Sequence, residues 1–327
     1  MDRKLDELLF ALMQNMTLTV SGEKLAKDLG VSHSTLARWI DKLRAAGIEI
    51  RGELFTGYRL VRLPDVLLPQ LIRPRLRTRI VGRNLYHFYD VDSTNSFAGR
   101  LIAHGRRIQE GTVIVAESQS AGRGRLGRSW HSQRETGIYF SMMLFPKAPP
   151  SLAPLFTLGT AVAMHNAVER YSGLDIDIKW PNDLLVGGKK FCGILSEIQA
   201  EVDLVKTMIV GVGLNANQES LPDDIADRAT SLRIASGRIQ SRIEILLEFF
   251  EEFENIYLDF ERKGPRGIID QWTRFSSFAS GRKIEIHDGV RKISGITCGL
   301  NPLGALRIEQ KGGRIEEVYS GDVVAWE

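Results

Sequence analysis

Apolar positions along the first sixty residues recur at helical spacing and are cut by tight turns. Leu5, Leu8, Leu9, Leu12 and Met13 form one such stripe, the pattern of a helix that buries a single face. A second helix is expected over Gly22–Leu29, with Leu25 and Ala26 inward and Gly30 as its stop. In a third, Leu36, Ile40 and Leu43 stand at i, i+4 and i+7 behind Ser32, a good N-cap, and Gly47 ends it. Two helices joined by so short a turn form a helix-turn-helix. With that stripe in the core, His33, Ser34, Thr35 and Arg38 point outward near the end that enters a DNA major groove in such motifs. Ile48–Ile50 and Tyr58–Val61, joined through Gly52–Gly57, read as a small β-hairpin or wing.

Beyond about residue 84 strands and helices alternate. Strands are expected at Leu85–Val91, Thr112–Glu117, Ile138–Phe145, Asp175–Trp180, Gly193–Gln199 and Thr207–Leu214, and long amphipathic helices at Leu152–Tyr171 and Arg242–Arg262. Close strand neighbours and few crossovers argue for an α+β fold, a mixed sheet covered by helices on one face. From about Ser277, short strands cut by glycines (Lys283–His287, Arg291–Thr297, Ala305–Ile308, Glu316–Tyr319) read as a small SH3-like β-barrel. The expected organisation is a winged helix-turn-helix over 1–64, a basic linker over 65–83, a mixed-sheet domain over 84–275 and the barrel over 276–327. Arg73, Arg75, Arg77, Arg79 and Arg83 make the linker either a solvated connector or a phosphate contact.

Composition narrows the setting. The 327 residues suit two or three domains. With 43% hydrophobic and 25% charged residues, the chain has the make-up of a soluble globular protein. A net charge of +3 does not by itself imply a nucleic-acid partner. Residues 1–64 carry ten Lys/Arg against eight Asp/Glu, short of a basic footprint, so a three-helix packing module stands beside the DNA-binding reading. No apolar run approaches the length of a membrane span, and the N-terminus lacks a signal-peptide shape. Two lone cysteines, Cys192 and Cys298, favour a reducing cytoplasm over a disulfide scaffold or zinc site. The six histidines show no ligand spacing, so no protein-ligated metal is expected.

The chemistry concentrates in four segments. Residues 122–130 read Gly-Arg-Gly-Arg-Leu-Gly-Arg-Ser-Trp. Glycine lets backbone approach a ligand closely. Arg123, Arg125 and Arg128 carry planar forks suited to carboxylate or phosphate, and Trp130 offers a face for a base. Gly122, Gly124 and Gly127 fit G-x-G-x-x-G, yet a dinucleotide fingerprint needs a helix to start at the loop. Here a second strand follows instead. Asp92-Ser93-Thr94-Asn95 precedes a helix beginning near Ser96, and its side chains could simply cap it. Lys179-Trp180-Pro181-Asn182-Asp183 ends a strand, with Gly187-Gly188 turning into Lys189-Lys190. Gly211-Val212-Gly213-Leu214-Asn215-Ala216-Asn217 closes another. Strand ends loaded with polar residues are typical of sites.

Together these segments resemble the biotin–protein ligases, and with the N-terminal helix-turn-helix they resemble the bifunctional bacterial form that is also a biotin-operon repressor. The resemblance spans essentially the whole chain. It implies a class II synthetase-like ligase domain and a two-step reaction. Biotin's carboxylate attacks the α-phosphorus of ATP, giving biotinyl-5′-AMP and pyrophosphate; a lysine of the biotin carboxyl carrier protein of acetyl-CoA carboxylase then takes the biotin. By that resemblance Arg123 and Arg125 lie over the biotin carboxylate and phosphate, and Lys190 bridges the attacking and phosphoryl oxygens. Ser93, Thr94, Asn95 and Gln119 bind biotin with Gly122 and Gly124 of the loop. Arg128, Trp130 and Asn215 serve the nucleotide, and Asp183 orients the acceptor lysine or accepts its proton. Mg2+ is expected to be held mainly by the ATP phosphates. Operator DNA, read by His33, Ser34, Thr35 and Arg38, and a ligand-bound homodimer are the other implied partners. Leu126 and Ser129 stand where relatives can carry basic residues and are expected on the loop's outer side. Lipoyl ligases share the architecture but carry a different glycine–arginine signature.

Overall fold

The structure, a computed structural model, describes residues 3–326 apart from 17, 46, 64, 106, 289 and 290. The chain divides into two compact units, Met1–Leu76 and Arg77–Glu327; the expected boundary at residue 64 lies outside the described residues.

In the first unit α1 (Arg3–Met13), α2 (Gly22–Leu29) and α3 (His33–Ala45) precede an antiparallel hairpin of β1 (Glu49–Glu53) and β2 (Gly57–Arg62). Local chemistry sets the ends. The Ser21 hydroxyl accepts from the Lys24 amide at 3.4 Å, and Gly30, at φ 60°, turns the chain out of α2. Ser32 caps α3, accepting from the Thr35 amide at 3.2 Å. Leu36, Trp39, Ile40 and Leu43 are buried, which leaves His33, Ser34 and Arg38 exposed and Thr35 half-buried. The stretch expected as a basic linker differs from that reading. Leu67, Leu68, Leu71 and Ile72 are buried, the last two on the short helix α4 (Pro69–Ile72), which packs against α1. The count of arginines hid an apolar stripe that has somewhere to go. Arg73 follows it, 3.7 Å from Asp6, whose carboxyl is pushed upward by burial despite that guanidinium.

The second unit opens with β3 (Leu85–Phe88), α5 (Thr94–Ala103), β4 (Thr112–Ala116), β5 (Gly137–Leu144) and α6 (Ala153–Ser172). It continues through the strands β6 (Ile176–Lys179), β7 (Asp183–Val186), β8 (Lys189–Ala200) and β9 (Val205–Asn215) and the helices α7 (Leu232–Ser236), α8 (Arg242–Lys263) and α9 (Arg266–Phe275). Seven strands form one mixed sheet in the order β3-β4-β5-β9-β8-β7-β6, parallel only between β3 and β4. A five-stranded antiparallel sheet of β10 (Ser280–His287), β11 (Lys292–Leu300), β12 (Leu306–Glu309), β13 (Ile315–Val318) and β14 (Asp322–Trp326) closes the chain, in the order β13-β12-β11-β10-β14. No helix among the described residues is long and apolar enough to cross a membrane.

The large sheet is covered on both faces, not one. Every residue of β5 is buried. Alternation along β5 sends Phe140 to one side, against Phe249 and Phe250 of α8. Met143 goes to the other side, into a cluster with Ala98 and Leu101 of α5. α5 is short, but it covers enough of that face to bury β5 twice over.

A charged pair lies under the α8 side. Arg242, the first residue of α8, donates from Nη1 to Glu117 Oε2 at 2.8 Å and to the Gly137 carbonyl at 2.9 Å, and both ionic side chains are fully buried. Removing one partner of such a pair strands a desolvated charge. Arg242→Met is therefore expected to lower stability by about 3–5 kcal/mol, read from the urea transition of the intact chain; a shift within error of zero would mean that Glu117 is satisfied without it.

Candidate active site

The site forms on the α5 face of the large sheet, where glycines remove side chains. Gly211 and Gly213 of β9 pair in register with Leu195 and Gly193 of β8. A Cβ on Gly211 would collide with Asn95 Oδ1, and one on Gly213 with the indole of Trp130. The sheet surface is thus hollowed so that α5 and the arginine loop can close on it.

At one end of the hollow sits the start of α5. Ser93 caps the helix, its hydroxyl accepting from the Ser96 amide at 3.4 Å, and is itself 2% exposed. Thr94 donates to Gln119 Oε1 from its amide at 2.9 Å and from its hydroxyl at 3.2 Å. Gln119 Nε2 donates to Ser132 at 2.9 Å. Asn95 accepts from the Ser141 hydroxyl at 2.5 Å and donates to Glu197 at 2.8 Å. Capping accounts for Ser93, but Thr94, Asn95 and Gln119 are tied into a polar network that lines a cavity. Asp92 turns away to Arg100, at 2.6 and 2.8 Å, and that fork holds its carboxyl down at about 2.

The arginine loop is an ordered turn, not a helix start. Trp130 donates its amide to the Gly122 carbonyl at 2.8 Å, and Gly124 to that of Arg128 at 2.7 Å. Arg125–Gly127 make a single tight turn in which Leu126 takes φ 54°. A left-handed leucine costs roughly 1–2 kcal/mol, and its side chain is 63% exposed, on the outer side as expected. Ser129, also expected outside, lines the cavity instead, because it bridges back to Arg123 in the loop's own short ladder.

Cations and carboxylates alternate across the hollow. Arg123 meets Glu197 at 2.8 Å. Arg125 reaches Asn182 Oδ1 at 2.9 Å and Asp322 at 3.3 Å, and Arg128 reaches the same aspartate at 2.8 Å. Lys190 Nζ lies 2.6 Å from Asp183 and 5.4 Å from the centre of the Trp130 ring. Ser93, Thr94, Asn95, Gln119, Arg123, Gly124, Arg125, Arg128, Trp130, Asp183, Lys190 and Asn215 all line one cavity of about 670 Å³. Gly122 does not; it acts through its backbone, where a Cβ would collide with the Trp130 carbonyl. Asn215 is buried, donating to the Thr230 carbonyl at 3.1 Å and accepting from Gln218 at 3.3 Å.

Residues 88–215 match the Biotin/lipoate A/B protein ligase family, residues 4–59 an HTH domain, and residues 279–326 the Biotin protein ligase C terminal domain. The chain is 37% identical over 306 residues to the bifunctional ligase/repressor BirA of Bacillus spizizenii, covering 93% of each. The chain belongs to the biotin–protein ligase family. Another member, the biotin–[acetyl-CoA-carboxylase] ligase of Mycobacterium tuberculosis, is 29% identical over 80% of this chain and 97% of its own. Among solved structures of the family, the Aquifex aeolicus biotin protein ligase in complex with biotin and ATP superposes with TM-score 0.65 and 32% identity, over 75% of this chain and 99% of that one.

Three residues escaped the sequence reading of this family member: Lys179 and Asp322, which line the cavity, and Glu197, which holds Arg123 and Asn95 from beside it. Glu197 and Asp322 lie outside any motif, and only folding brings them to Arg123, Arg125 and Arg128. Lys179 stood inside a motif but drew no role, and Trp180 beside it is buried, its indole donating to the Gly304 carbonyl at 3.3 Å.

Proposed function

We propose that the chain joins biotin to ATP as biotinyl-5′-AMP, releasing pyrophosphate, and passes the biotin to a lysine of the biotin carboxyl carrier protein of acetyl-CoA carboxylase. The observation that carries this reading is the meeting, in one hollow, of the Thr94–Asn95–Gln119 network, the arginine loop and Lys190. The network and the backbone of Gly122 and Gly124 suit the ureido ring and the carboxylate, with Ser93 fixing the helix start. Arg123, Arg125 and Lys190 bring two anions together and steady the charge that develops at phosphorus. Arg128, Trp130 and Asn215 serve the nucleotide, and Asp183, beside Lys190, receives the acceptor amine. The chemistry needs no enzyme nucleophile. Asp183, Glu197 and Asp322 are each paired with a cation, a donor set that suits Mg2+ carried in on phosphate oxygens rather than caged by the protein.

Pyrophosphate release from ATP, measured with biotin, without it and with lipoate, tests the reading; the product is weighed for biotinyl-5′-AMP. Release that requires biotin supports it. Tight biotin binding without release would leave a sensor with no chemistry.

The first unit favours a second, compatible activity as a biotin-responsive repressor in the cytoplasm. A filled site orders loops that complete a self-complementary surface, and a homodimer presents two recognition helices to a palindromic operator. Exposed His33, Ser34 and Arg38 support the reading, with half-buried Thr35 among them. Arg38→Ala is expected to weaken operator binding about tenfold in a mobility shift, the loss of one charge-assisted contact, while ligation continues at the parent rate. Equal binding by parent and variant would remove Arg38 from the interface.

A further inference from the structure

The cavity's cations are not equivalent. Arg123, Arg125, Arg128 and Lys190 each hold a carboxylate. Lys179 does not. It ends β6 and is the cross-strand partner of Asp183 across the β6–β7 hairpin, but that carboxylate turns to Lys190 at 2.6 Å. Among the described residues Lys179 Nζ makes no hydrogen bond and no ion pair. Its Nζ stands 4.1 Å from the centre of the Trp326 ring, on β14. Burial pushes its ammonium pKa downward; Asp183 and Asp322 oppose that push without forming an ion pair with it, and Lys190 and Arg128 reinforce it. Arg228, which also lines the cavity and has no ion pair among the described residues, is exposed.

A half-buried ammonium with a π face on one side still has N–H donors turned elsewhere, and leaving them unmet is costly. Among the described residues no carboxylate reaches them at contact distance, which leaves them open to an anionic group of a ligand. The adenylation reaction provides such a group. As a biotin oxygen bonds to the α-phosphorus, the bond from that phosphorus to the bridging β-oxygen breaks, and the pyrophosphate leaves with the electron pair. Lys179 lies beside the Asp183–Lys190 pair and lines the cavity together with Trp326. We propose that Lys179 holds the β- and γ-phosphates of ATP and then the departing pyrophosphate, with Trp326 keeping its ammonium in place. This rests on the ligase reading above.

The test uses the full chain with Lys179→Met, Lys179→Gln and Lys179→Arg. Biotin-dependent ATP–pyrophosphate exchange reports the KM for pyrophosphate; transfer to an acceptor protein from synthetic biotinyl-5′-AMP reports the step in which no pyrophosphate takes part. Lys179→Met is expected to raise the KM for pyrophosphate and for ATP about 10- to 100-fold, the loss of a bond between charged groups, and Lys179→Arg to recover most of it. The loss is confined to the pyrophosphate-containing step. Should the methionine variant fold poorly, Lys179→Gln removes the charge and keeps a polar end. An unchanged KM for pyrophosphate overturns the proposal. So does an equal loss in transfer, which would make Lys179 a pin for β14 and nothing more. A parent chain with no biotin-dependent exchange would instead overturn the ligase reading on which the proposal rests.

Discussion

Lys190→Ala is expected to slow biotinyl-5′-AMP formation about 10²- to 10³-fold, the usual loss for a group that stabilises charge only as the transition state forms. The backbone around it is held independently of the side chain. The Lys190 amide donates to the Arg228 carbonyl, and its own carbonyl accepts from Thr230, both at 2.9 Å. Alanine therefore deletes the ammonium and little else. Single-turnover pyrophosphate release should fall while biotin affinity, set by the network around Asn95, changes little. Release at the parent rate would remove Lys190 from the chemistry. A matching collapse of biotin binding would show that the lysine organises the site, with Asp183 left unpaired as the cause.

Arg123→Gly should act on retention. Arg123 pairs with Ser129 in the loop's ladder and reaches Glu197 with both ends of its fork, at 2.8 and 3.4 Å. It ties the loop to β8 and stands at the biotin side of the cavity. Glycine both frees the backbone and removes a charge-assisted contact, so hold on the mixed anhydride should weaken about 10- to 100-fold. An escaped anhydride acylates whichever amine it meets. Incubating the variant with biotin, ATP and a bystander protein should label bystander lysines well above the parent, as read by mass spectrometry. Bystander labelling at the parent level would assign closure of the loop to Arg125 and Arg128 instead.

The readable parts of the site were those in which one short segment does the whole job. The arginine loop announced itself because glycine spacing and repeated guanidinium groups suit neither helix nor strand. Lys190 and Asp183 lay within a few residues of one another across a glycine turn. Helix starts at Ser32 and Ser93 were legible from capping, and α2 from its apolar stripe and closing glycine. Pairings across long separations were not legible. Glu197 is one polar residue in a long alternating strand, and Asp322 is separated from the loop it neutralises by nearly two hundred positions. The stretch read as a linker differs from that reading for a related reason: evenly spaced arginines outweighed the buried Leu67, Leu68, Leu71 and Ile72, the last two on α4, which packs against α1. Helices on both faces of the sheet were missed because α5 is short, and its reach shows only in the burial of β5 from both sides.

The carboxylates that face Arg123, Arg125, Arg128 and Lys190 give the cleft's cations partners of the protein's own. Tethered to the same fold, they compete for the cations at an effective concentration that a free ion at millimolar levels cannot match. Inorganic phosphate or sulfate would have to displace them with nothing else to offer. A ligand that also fills the glycine hollow with a ring and gives the Asn95 network its hydrogen bonds has other sources of affinity. The paired charges thus act as a filter, turning a strongly cationic cleft into one that ignores the common anions of the cell and opens only to a molecule that is recognised elsewhere along its length.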